Sequence, residues 1–471
     1  MKYDSLMDKD LADFSVKYLQ KKGAGYAEAR LEHSEASHFI LKDGNPEISS
    51  FGNSSGIGIR FSINNNIGFV SLNELDKNKI KNLLDKSFIL TKNSSKIAEK
   101  VKFSDSNVVK SNCFVKQIKK IQNVDPSEKL KILIDLNKNL ESEHKYLSLS
   151  DNLTKKYYVN SEGSQIYSEI PRVNFFYFLT IKESMNSIQR ALQHGAVSGY
   201  EAIKKWELEN SISSEIKALR SNLKKGVKVP EENIDVVLAP EVVGIAVHES
   251  AGHPYEADRI FGREAAQAGE SFVKKGMVGH KIGNEQVNVV DDPCLENSYG
   301  FYEYDDEGVK ARKKFLIKDG VINEFMHDRE TSLKMNLESN GSSRAVSFFF
   351  EPLVRMSNTY LLPGKFTEDE MISEIKKGIY IKSFMEWNID DKRFQQKYVG
   401  NEAYLIENGE LTKPVRNPAL EITTPVLWSS IDAVGKNSKM FAGTCGKGEP
   451  MQGIPVLMGG PSVKLKNIKL F

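Results

Sequence analysis

The chain has 471 residues, and 40% of them are hydrophobic, which excludes a disordered chain as the overall description. It carries 65 basic and 63 acidic residues, a net charge of +2, and this balance argues against a dedicated nucleic-acid-binding protein. Its three cysteines cannot build a disulfide framework, which indicates a reducing compartment. The first residues are rich in aspartate, and no run of about 18 apolar residues occurs, so we expect a cytoplasmic protein without a secretory leader or membrane span.

Helices and strands alternate in the first half of the chain. Apolar residues recur at helical spacing in four stretches: 6–19, 75–90, 126–140 and 201–223. Alternating apolar residues predict strands around an Asp43-Gly44 turn and again over residues 146–181, with a turn at residues 161–163. Residues 91–122 are rich in Ser, Lys and Asn, and we interpret them as a long connection or a domain edge.

The second half shows mostly strand and turn patterns. A buried strand at residues 234–238 leads into a helix at residues 242–247. Turns of the Asp-Gly and Asn-Gly type predict hairpins at residues 319–320 and 408–409. One further helix is predicted over residues 368–377.

The fold class that these patterns predict is mixed, α+β or α/β, in two domains. A linker at residues 225–232 separates an N-terminal domain, residues 1–225, from a C-terminal domain, residues 230–471. We expect helices over a mixed sheet in the first domain. The second domain is expected to be strand-rich and to carry the helix with the motif His248-Glu249-x-x-x-His253.

This motif concentrates residues that bind metals and move protons. His248 and His253 offer imidazole nitrogens, which are good zinc ligands, and Glu249 can take a proton from a water at the metal. On a regular helix, residues five apart point about 140° away from each other. Gly252 tolerates unusual backbone angles, and Pro254 disfavours the α region for the residue before it. We therefore expect His253 outside the α region, at a helix end or on a π-type bulge.

Two histidines leave the protein ligands incomplete, because catalytic zinc usually has three. Four residues are candidates for the third place: Glu256, Asp258, Cys294 and Cys445. Cys445 lies in a glycine-rich segment that we interpret as a turn, where Lys447 would lower the thiol pKa. Acidic neighbours make Cys294 a poorer thiolate, and Glu256 and Asp258 could instead orient a histidine. The spacing does not choose among them, and alternatively Cys445 is a small buried apolar residue and the two histidines are a coincidence.

The motif resembles the signature of the TldD/PmbA metallopeptidases, on the TldD side. Four further blocks follow in the family order: Asp305 to Gly308, Arg355 to Tyr360, Gly400 to Ile406 and Thr444 to Lys447. The resemblance covers essentially the whole chain and is strongest from about residue 234 onwards. It implies that His248, His253 and Cys445 bind Zn²⁺ and that Glu249 is the catalytic residue. Pro254 departs from the bacterial pattern.

The function that the resemblance implies is a zinc-dependent peptidase acting on unfolded or short peptides. It also implies a dimer, formed with a second copy or with a paralogue that lacks the motif. Because the second domain is strand-rich, an extended peptide could add to a sheet edge. Arg355, Asn358 and Tyr360 are hypothetical peptide contacts, or alternatively strand residues that support the fold.

Two other classes of function compete with this reading. One is a non-enzymatic subunit that binds a peptide or a protein and holds a structural metal, which would not need Glu249 beside a histidine. The other is nucleic-acid association, for which the Lys-rich stretches at residues 77–86 and 116–120 are the only argument. Solvated helix faces explain these stretches better.

Overall fold

A computed structural model describes residues 7–263 and 270–471. It contains two large sheets, one in each half of the chain, with helices packed on them. The helices are α1 (Lys9–Lys21), α2 (Lys77–Ser94), α3 (Pro126–Asn139), α4 (Ala202–Lys205), α5 (Leu208–Lys225), α6 (Pro240–Val247), α7 (Ala257–Ile260), α8 (Arg329–Lys334), α9 (Glu368–Ser373) and α10 (Thr424–Ser430). None of these helices is long and apolar enough to span a membrane.

The strands of the first half are β1 (Tyr26–Lys42), β2 (Asn45–Ile63), β3 (Asn66–Leu72), β4 (Lys110–Phe114), β5 (His144–Asn160), β6 (Gln165–Glu183) and β7 (Asn186–Ala196). Those of the second half are β8 (Ile234–Leu238), β9 (Val289–Asp291), β10 (Lys314–Lys318), β11 (Val321–Ile322), β12 (Ser343–Arg344), β13 (Leu353–Val354), β14 (Asn358–Leu361), β15 (Lys377–Ile381), β16 (Phe384–Ile389), β17 (Gln395–Gly400), β18 (Ala403–Glu407), β19 (Glu410–Pro414), β20 (Ala419–Thr423), β21 (Ile431–Lys447) and β22 (Gln452–Ile468).

The first half folds around a seven-stranded sheet with the strand order β3-β2-β1-β5-β6-β4, in which β7 also pairs with β6. Neighbouring strands are antiparallel, except that β4 runs parallel to β6. Helices α1 and α2 pack at one end, where Leu19 and Leu84 are buried with Ile59. Helices α3 and α5 cover β5 and β6, where Leu133 and Ile216 are buried. The expectation of helices over a mixed sheet is confirmed.

Most of the predicted elements of the first half are present. Leu6, the first residue of one predicted helix, lies outside the described residues. The prediction of one helix over residues 201–223 is wrong, because α4 and α5 are separated at Glu207, whose φ of 46° lies in the left-handed region. The segment at residues 91–122 is more regular than expected, because β4 pairs with β6.

The second half folds around a ten-stranded sheet with the order β11-β10-β9-β14-β22-β8-β15-β18-β19, in which β21 pairs with β22. The pairs β14–β22 and β8–β15 are parallel. Helix α6 packs on β22, β21 and β14. A Cβ atom at Gly244 of α6 would stand 3.1 Å from the Cα atom of Gly459 on β22. Because neither residue has a side chain, this helix lies unusually close to the sheet.

The elements predicted around this sheet are confirmed, with one correction. The strand at residues 234–238 is β8, and the two predicted hairpins are β10–β11 and β18–β19. The helix predicted over residues 368–377 ends earlier, at Ser373. It ends there because Lys377 already begins β15, which is held between β8 and β18.

A buried ion-pair cluster joins the two halves at the start of α6. Arg190 on β7 donates to the two carboxylate oxygens of Glu241 at 2.7 and 2.8 Å. The same guanidinium donates to both oxygens of Glu215 on α5 at 3.0 Å. Pro240 begins α6 and Glu241 lies in its first turn. The helix that leads to the His248 motif is therefore fixed to the N-terminal sheet by charge-assisted hydrogen bonds.

Candidate metal centre

The two histidines of the motif are brought together by a change of helix type. Regular α-helix ends at Val247, and residues 248–252 form a π turn in which the N–H of His253 donates to the carbonyl of His248. A π turn bonds residue i to residue i+5, so it places the two histidines on adjoining turns. The predicted π-type bulge is confirmed. The prediction that His253 leaves the α region is wrong, because its φ and ψ are −55° and −42°. The extra residue of the π turn, and not Pro254, brings the His253 ring round to His248.

Packing behind the π turn requires Gly252. A Cβ atom at this position would stand 1.8 Å from the Sδ atom of Met356, a fully buried side chain. The role of this glycine is therefore to make room for a neighbouring side chain, while its own φ of −71° is ordinary.

Three buried donor side chains converge at the π turn. Candidate ligand atoms of His248, His253 and Cys445 all lie within 4.8 Å of one another. The Sγ atom of Cys445 is 3.4 Å from Nε2 of His253, and the two imidazole rings have centroids 4.9 Å apart. The prediction that Cys445 lies in a turn is wrong. It lies inside the long strand β21, opposite Ile454 of β22. Pairing along the whole hairpin holds this glycine-rich segment extended.

The donor set fits a zinc ion. Nitrogen and sulfur ligands at their usual zinc distances, in tetrahedral geometry, are about 3.5 Å apart, close to the separation of Cys445 and His253. The Nδ1 atom of His248 is buried and has no hydrogen-bond partner in the described parts of the chain. Two imidazoles and one thiolate leave a fourth position open, as in catalytic zinc sites.

The thiol of Cys445 is tuned by its surroundings. Burial alone would raise its pKa, but the charges of His253 and Arg355 outweigh burial and lower the pKa to about 7. Arg355 also donates to the carbonyl oxygens of Cys445 and Gln452, which fixes the backbone of the hairpin near the thiol. Lys447, expected to lower the pKa of the thiol, instead donates to two carboxylates at the start of α7.

A buried carboxylate orients His253. Oε2 of Glu256 lies 3.0 Å from Nδ1 of His253, 2.9 Å from Nε of Arg259 and 3.1 Å from Nζ of Lys447. Burial alone would raise the pKa of Glu256. Lys447 and His253 lower it by more than burial raises it, so the pKa lies well below its usual value. When Nδ1–H donates to this carboxylate, Nε2 carries a lone pair on the side of Cys445.

Asp258 is connected to the histidines indirectly, because it bonds to Lys447, which in turn donates to Glu256. Its Oδ1 accepts from Nζ of Lys447 at 2.7 Å, and no contact joins it to either histidine among the described residues. Of the four candidates for the third ligand, the structure brings Cys445 to the histidines. Cys294 is an exposed residue, but its thiol lies 3.4 Å from the carbonyl of Ala311, and partial desolvation of the sulfur there, followed by the charge of Asp292, raises its pKa.

Glu249 lies beside the donor group and has a cationic partner. Nη1 of Arg393, in the turn between β16 and β17, donates to its Oε2 at 2.9 Å. Burial raises the pKa of Glu249, but the charges of His253, His248 and Arg393 together lower it below its usual value. The carboxylate is therefore ionised at neutral pH. The sequence did not predict a role for Arg393, because no local pattern connects a hairpin turn to a helix some 140 residues earlier.

The three hypothetical peptide contacts take different positions. Arg355 is fully buried and bonds to the hairpin as described. Asn358 is also fully buried; its Nδ2 donates to the carbonyl of Asp292 at 2.6 Å, and its Oδ1 accepts from the N–H of Gly300 at 3.1 Å. Both residues therefore make contacts that fit the alternative interpretation, in which they are strand residues that support the fold. Tyr360 is half-buried, with its hydroxyl 3.4 Å from Asp292.

Three segments of this chain match family models, and all three models describe domains of PmbA/TldA metallopeptidases. Residues 231–470 match the model of the PmbA/TldA metallopeptidase C-terminal domain. Residues 27–90 match domain 1 of the same metallopeptidases, and residues 119–220 match their central domain. A mixed α+β chain with these matches and a buried His-His-Cys group is of the metallopeptidase class. The chain belongs to the PmbA/TldD family, as its motifs implied.

Two relatives agree with this assignment, and one solved structure has the same fold. A metalloprotease of Methanocaldococcus jannaschii is 34% identical over 449 residues, which cover 93% of this chain and 95% of the relative. A zinc metalloprotease TldD homologue of Saccharolobus solfataricus is 26% identical and covers 97% of this chain and 98% of the relative. The crystal structure of TldE from Thermococcus kodakarensis has a TM-score of 0.73 at 16% identity, covering 98% and 99% of the two chains, and shows the shared fold.

Proposed function

We propose that this chain is a zinc-dependent peptidase in which His248, His253 and Cys445 hold the metal and Glu249 is the general base. The observation that carries the proposal is the convergence of three buried donors within 4.8 Å, with an ionised carboxylate on the residue next to one of them. A structural zinc site is usually closed by four protein ligands, whereas this group offers three.

When bound at such a site, zinc polarises a peptide carbonyl and lowers the pKa of a water toward about 7. The chain's own residues supply the rest of the chemistry. Glu249 accepts a proton from the water that attacks the carbonyl carbon, and returns it to the amine nitrogen as the C–N bond breaks. Arg393 holds the carboxylate of Glu249 by a 2.9 Å hydrogen bond, and Glu256 holds the ring of His253 in the tautomer that presents Nε2.

The substrates proposed are unfolded or short peptides. The exposed edges of a strand-rich half offer main-chain groups to an extended peptide, which would bind with little dependence on its sequence. Tyr360 stays a candidate contact, because part of its side chain is accessible. The working form proposed is a dimer, with a second copy or with a paralogue lacking the motif. All three cysteines are unpaired, which favours the cytoplasm as the location.

The test combines metal analysis with a peptide-cleavage assay on the full chain. His248→Ala, His253→Ala and Cys445→Ala should each lose zinc and activity together. His280→Ala and Cys294→Ala, which alter an exposed histidine and an exposed cysteine, should keep both. Glu249→Gln should keep its zinc and lose about 10²–10⁴-fold in kcat.

Two outcomes would contradict the proposal. Unchanged cleavage by Glu249→Gln would remove this residue from the mechanism. Global unfolding when a chelator removes the zinc, together with no cleavage by the wild type, would favour the competing function of a binding subunit with a structural metal.

A further inference from the structure

A cavity of about 470 Å³ lies between the two halves of the chain, apart from the donor group. One wall is the face of the N-terminal sheet formed by β1, β5 and β6. The opposite wall consists of residues 299–306, residues 344–346 and the start of β22 at residues 453–455. Both halves of the molecule therefore contribute to one half-open cavity that is large enough for the end of a peptide.

The carboxylates that line this cavity already have partners. Asp151 pairs with Lys129, Asp306 with Lys156, Glu32 with Arg30, and Asp305 accepts from the backbone N–H groups of Glu307, Val309 and Ser343. Three of these four carboxylates therefore pair with a cation of the protein, and the fourth is held by backbone N–H groups.

Two guanidinium groups of the same lining are not balanced in this way. Arg172 forms no ion pair with any described residue; its Nη2 is 3.4 Å from the carbonyl of Phe301, and its buried Nε has no acceptor. Within residues 7–263 and 270–471, the acceptors of Arg344 are two backbone carbonyls, those of Met356 and Pro455, and its guanidinium lies over the ring of Tyr302. Burial, followed by the charge of Arg344, lowers the pKa of Arg172 to about 10, still well above neutral pH. The cavity therefore holds two cations that form no direct ion pair with a carboxylate of the described residues, although the charge of Asp306 acts on both.

We propose that Arg172 and Arg344 form an oxyanion-binding subsite that takes the C-terminal carboxylate of a peptide. A planar guanidinium with an unpartnered Nε–H matches a carboxylate or phosphate by paired hydrogen bonds. An oxyanion there would satisfy the Nε–H of Arg172 and offset the repulsion between the two cations.

The position of the cavity connects the subsite to the donor group. Ile454, in the cavity wall, lies directly opposite Cys445 in the β21–β22 hairpin. A peptide held by its carboxylate in the cavity would have its preceding residues near this hairpin. The inference rests on the proposed peptidase function and adds to it a preference for peptides with a free C-terminus.

The test measures binding without turnover. The full-length Glu249→Gln protein is titrated into a short peptide that carries a fluorophore at its N-terminus and ends in either a free carboxylate or an amide. Fluorescence anisotropy should show the free acid bound about 10- to 100-fold more tightly than the amide, the range expected for a charged hydrogen-bonded contact. This comparison needs no change in the cavity itself.

Variants then assign the preference to the cavity. Adding Arg172→Gln should remove most of the difference between acid and amide, and Arg172→Lys should retain part of it. Arg312→Gln, which alters an exposed arginine paired with Glu324, is the matched control and should change nothing. Inorganic phosphate, the other source of an oxyanion, should compete with the free acid, and less so in Arg172→Gln.

Equal affinity for the acid and the amide would overturn the peptide assignment. If phosphate still protected the protein from thermal unfolding in an Arg172-dependent way, the oxyanion would then be free phosphate. Neither discrimination nor phosphate binding would overturn the subsite altogether. A protein that discriminates acid from amide but never cleaves a peptide would instead refute the proposed peptidase function and leave the subsite standing.

Discussion

Replacing Glu256 by Gln tests whether the buried carboxylate behind His253 controls metal affinity. Glu256 accepts from His253, Arg259 and Lys447 at 3.0, 2.9 and 3.1 Å. Glutamine has the same shape, and its carbonyl oxygen can take the place of Oε2, but it carries no charge, and its NH2 group would be buried where Oε1 has no hydrogen-bond partner among the described residues. Outer partners of a ligating histidine usually contribute 10- to 100-fold to metal affinity, so we expect a loss of about 1.4–2.7 kcal/mol in zinc binding.

Stability should fall as well, because two cations lose a buried counter-charge. Breaking a buried pair typically costs about 3–5 kcal/mol, and we expect the lower end of that range, since Lys447 keeps Asp258 at 2.7 Å. Zinc affinity is measured by competition with a chromogenic chelator, and stability by urea unfolding of the metal-free protein.

Glu241→Gln is the control for Glu256→Gln. It removes another buried carboxylate, at the far end of the same helical segment, where Arg190 donates to both oxygens. This variant should lose stability and keep wild-type zinc affinity. The reasoning is refuted if Glu256→Gln binds zinc as tightly as the wild type, or if both variants lose affinity equally.

Three further predictions concern other residues. Gly252→Ala, whose Cβ would collide with Met356, should cost about 1–3 kcal/mol in thermal unfolding and weaken zinc binding, because the π turn must shift; unchanged unfolding would contradict the packing argument. Arg393→Gln removes the charged hydrogen bond that holds Glu249 and should lower kcat about tenfold at unchanged zinc content; loss of zinc instead would show a role in the fold. Burial lowers the pKa of His194 to about 4, so the folded chain keeps this ring neutral while the unfolded chain binds a proton below about pH 6.5. The wild type should therefore lose up to about 3 kcal/mol between pH 6.5 and 4, and His194→Phe should lack that part of the loss when urea unfolding is followed against pH; parallel curves would contradict it.

Local patterns predicted the elements whose stabilising contacts are close in sequence. The hairpin β1–β2 follows from the Asp43-Gly44 turn between two alternating strands. Helix α3 was predicted from its apolar spacing, and in the structure Asp125 caps it by accepting from the N–H of Ser127. The break between α4 and α5 was not predictable in this way, because apolar spacing continues through Glu207. Strand β4 exists because β6, some 55 residues later, supplies its hydrogen bonds.

In the candidate site too, the sequence predicted the arrangement of residues that are close in the chain and not the contacts between distant segments. His248, Glu249 and His253 are close in sequence, and their irregular spacing predicted either a helix end or a π-type bulge, of which the structure has the π turn. The position of Cys445 followed from a family resemblance, and its strand conformation did not follow from its glycine neighbours. Lys447 and Arg393 make contacts that join segments far apart in the chain, and only the fold brings them to Glu256 and Glu249.

The bidentate contact between Arg190 and Glu241 couples substitutions in one half of the chain to substitutions in the other. A natural variant that replaced Arg190 by an apolar residue would leave the buried carboxylate of Glu241 and the partly buried carboxylate of Glu215 without this counter-ion. Substitutions at these three positions should therefore arise together across lineages. Recombination that exchanged one half between distant relatives would succeed only where both parents carry the same charges at this junction.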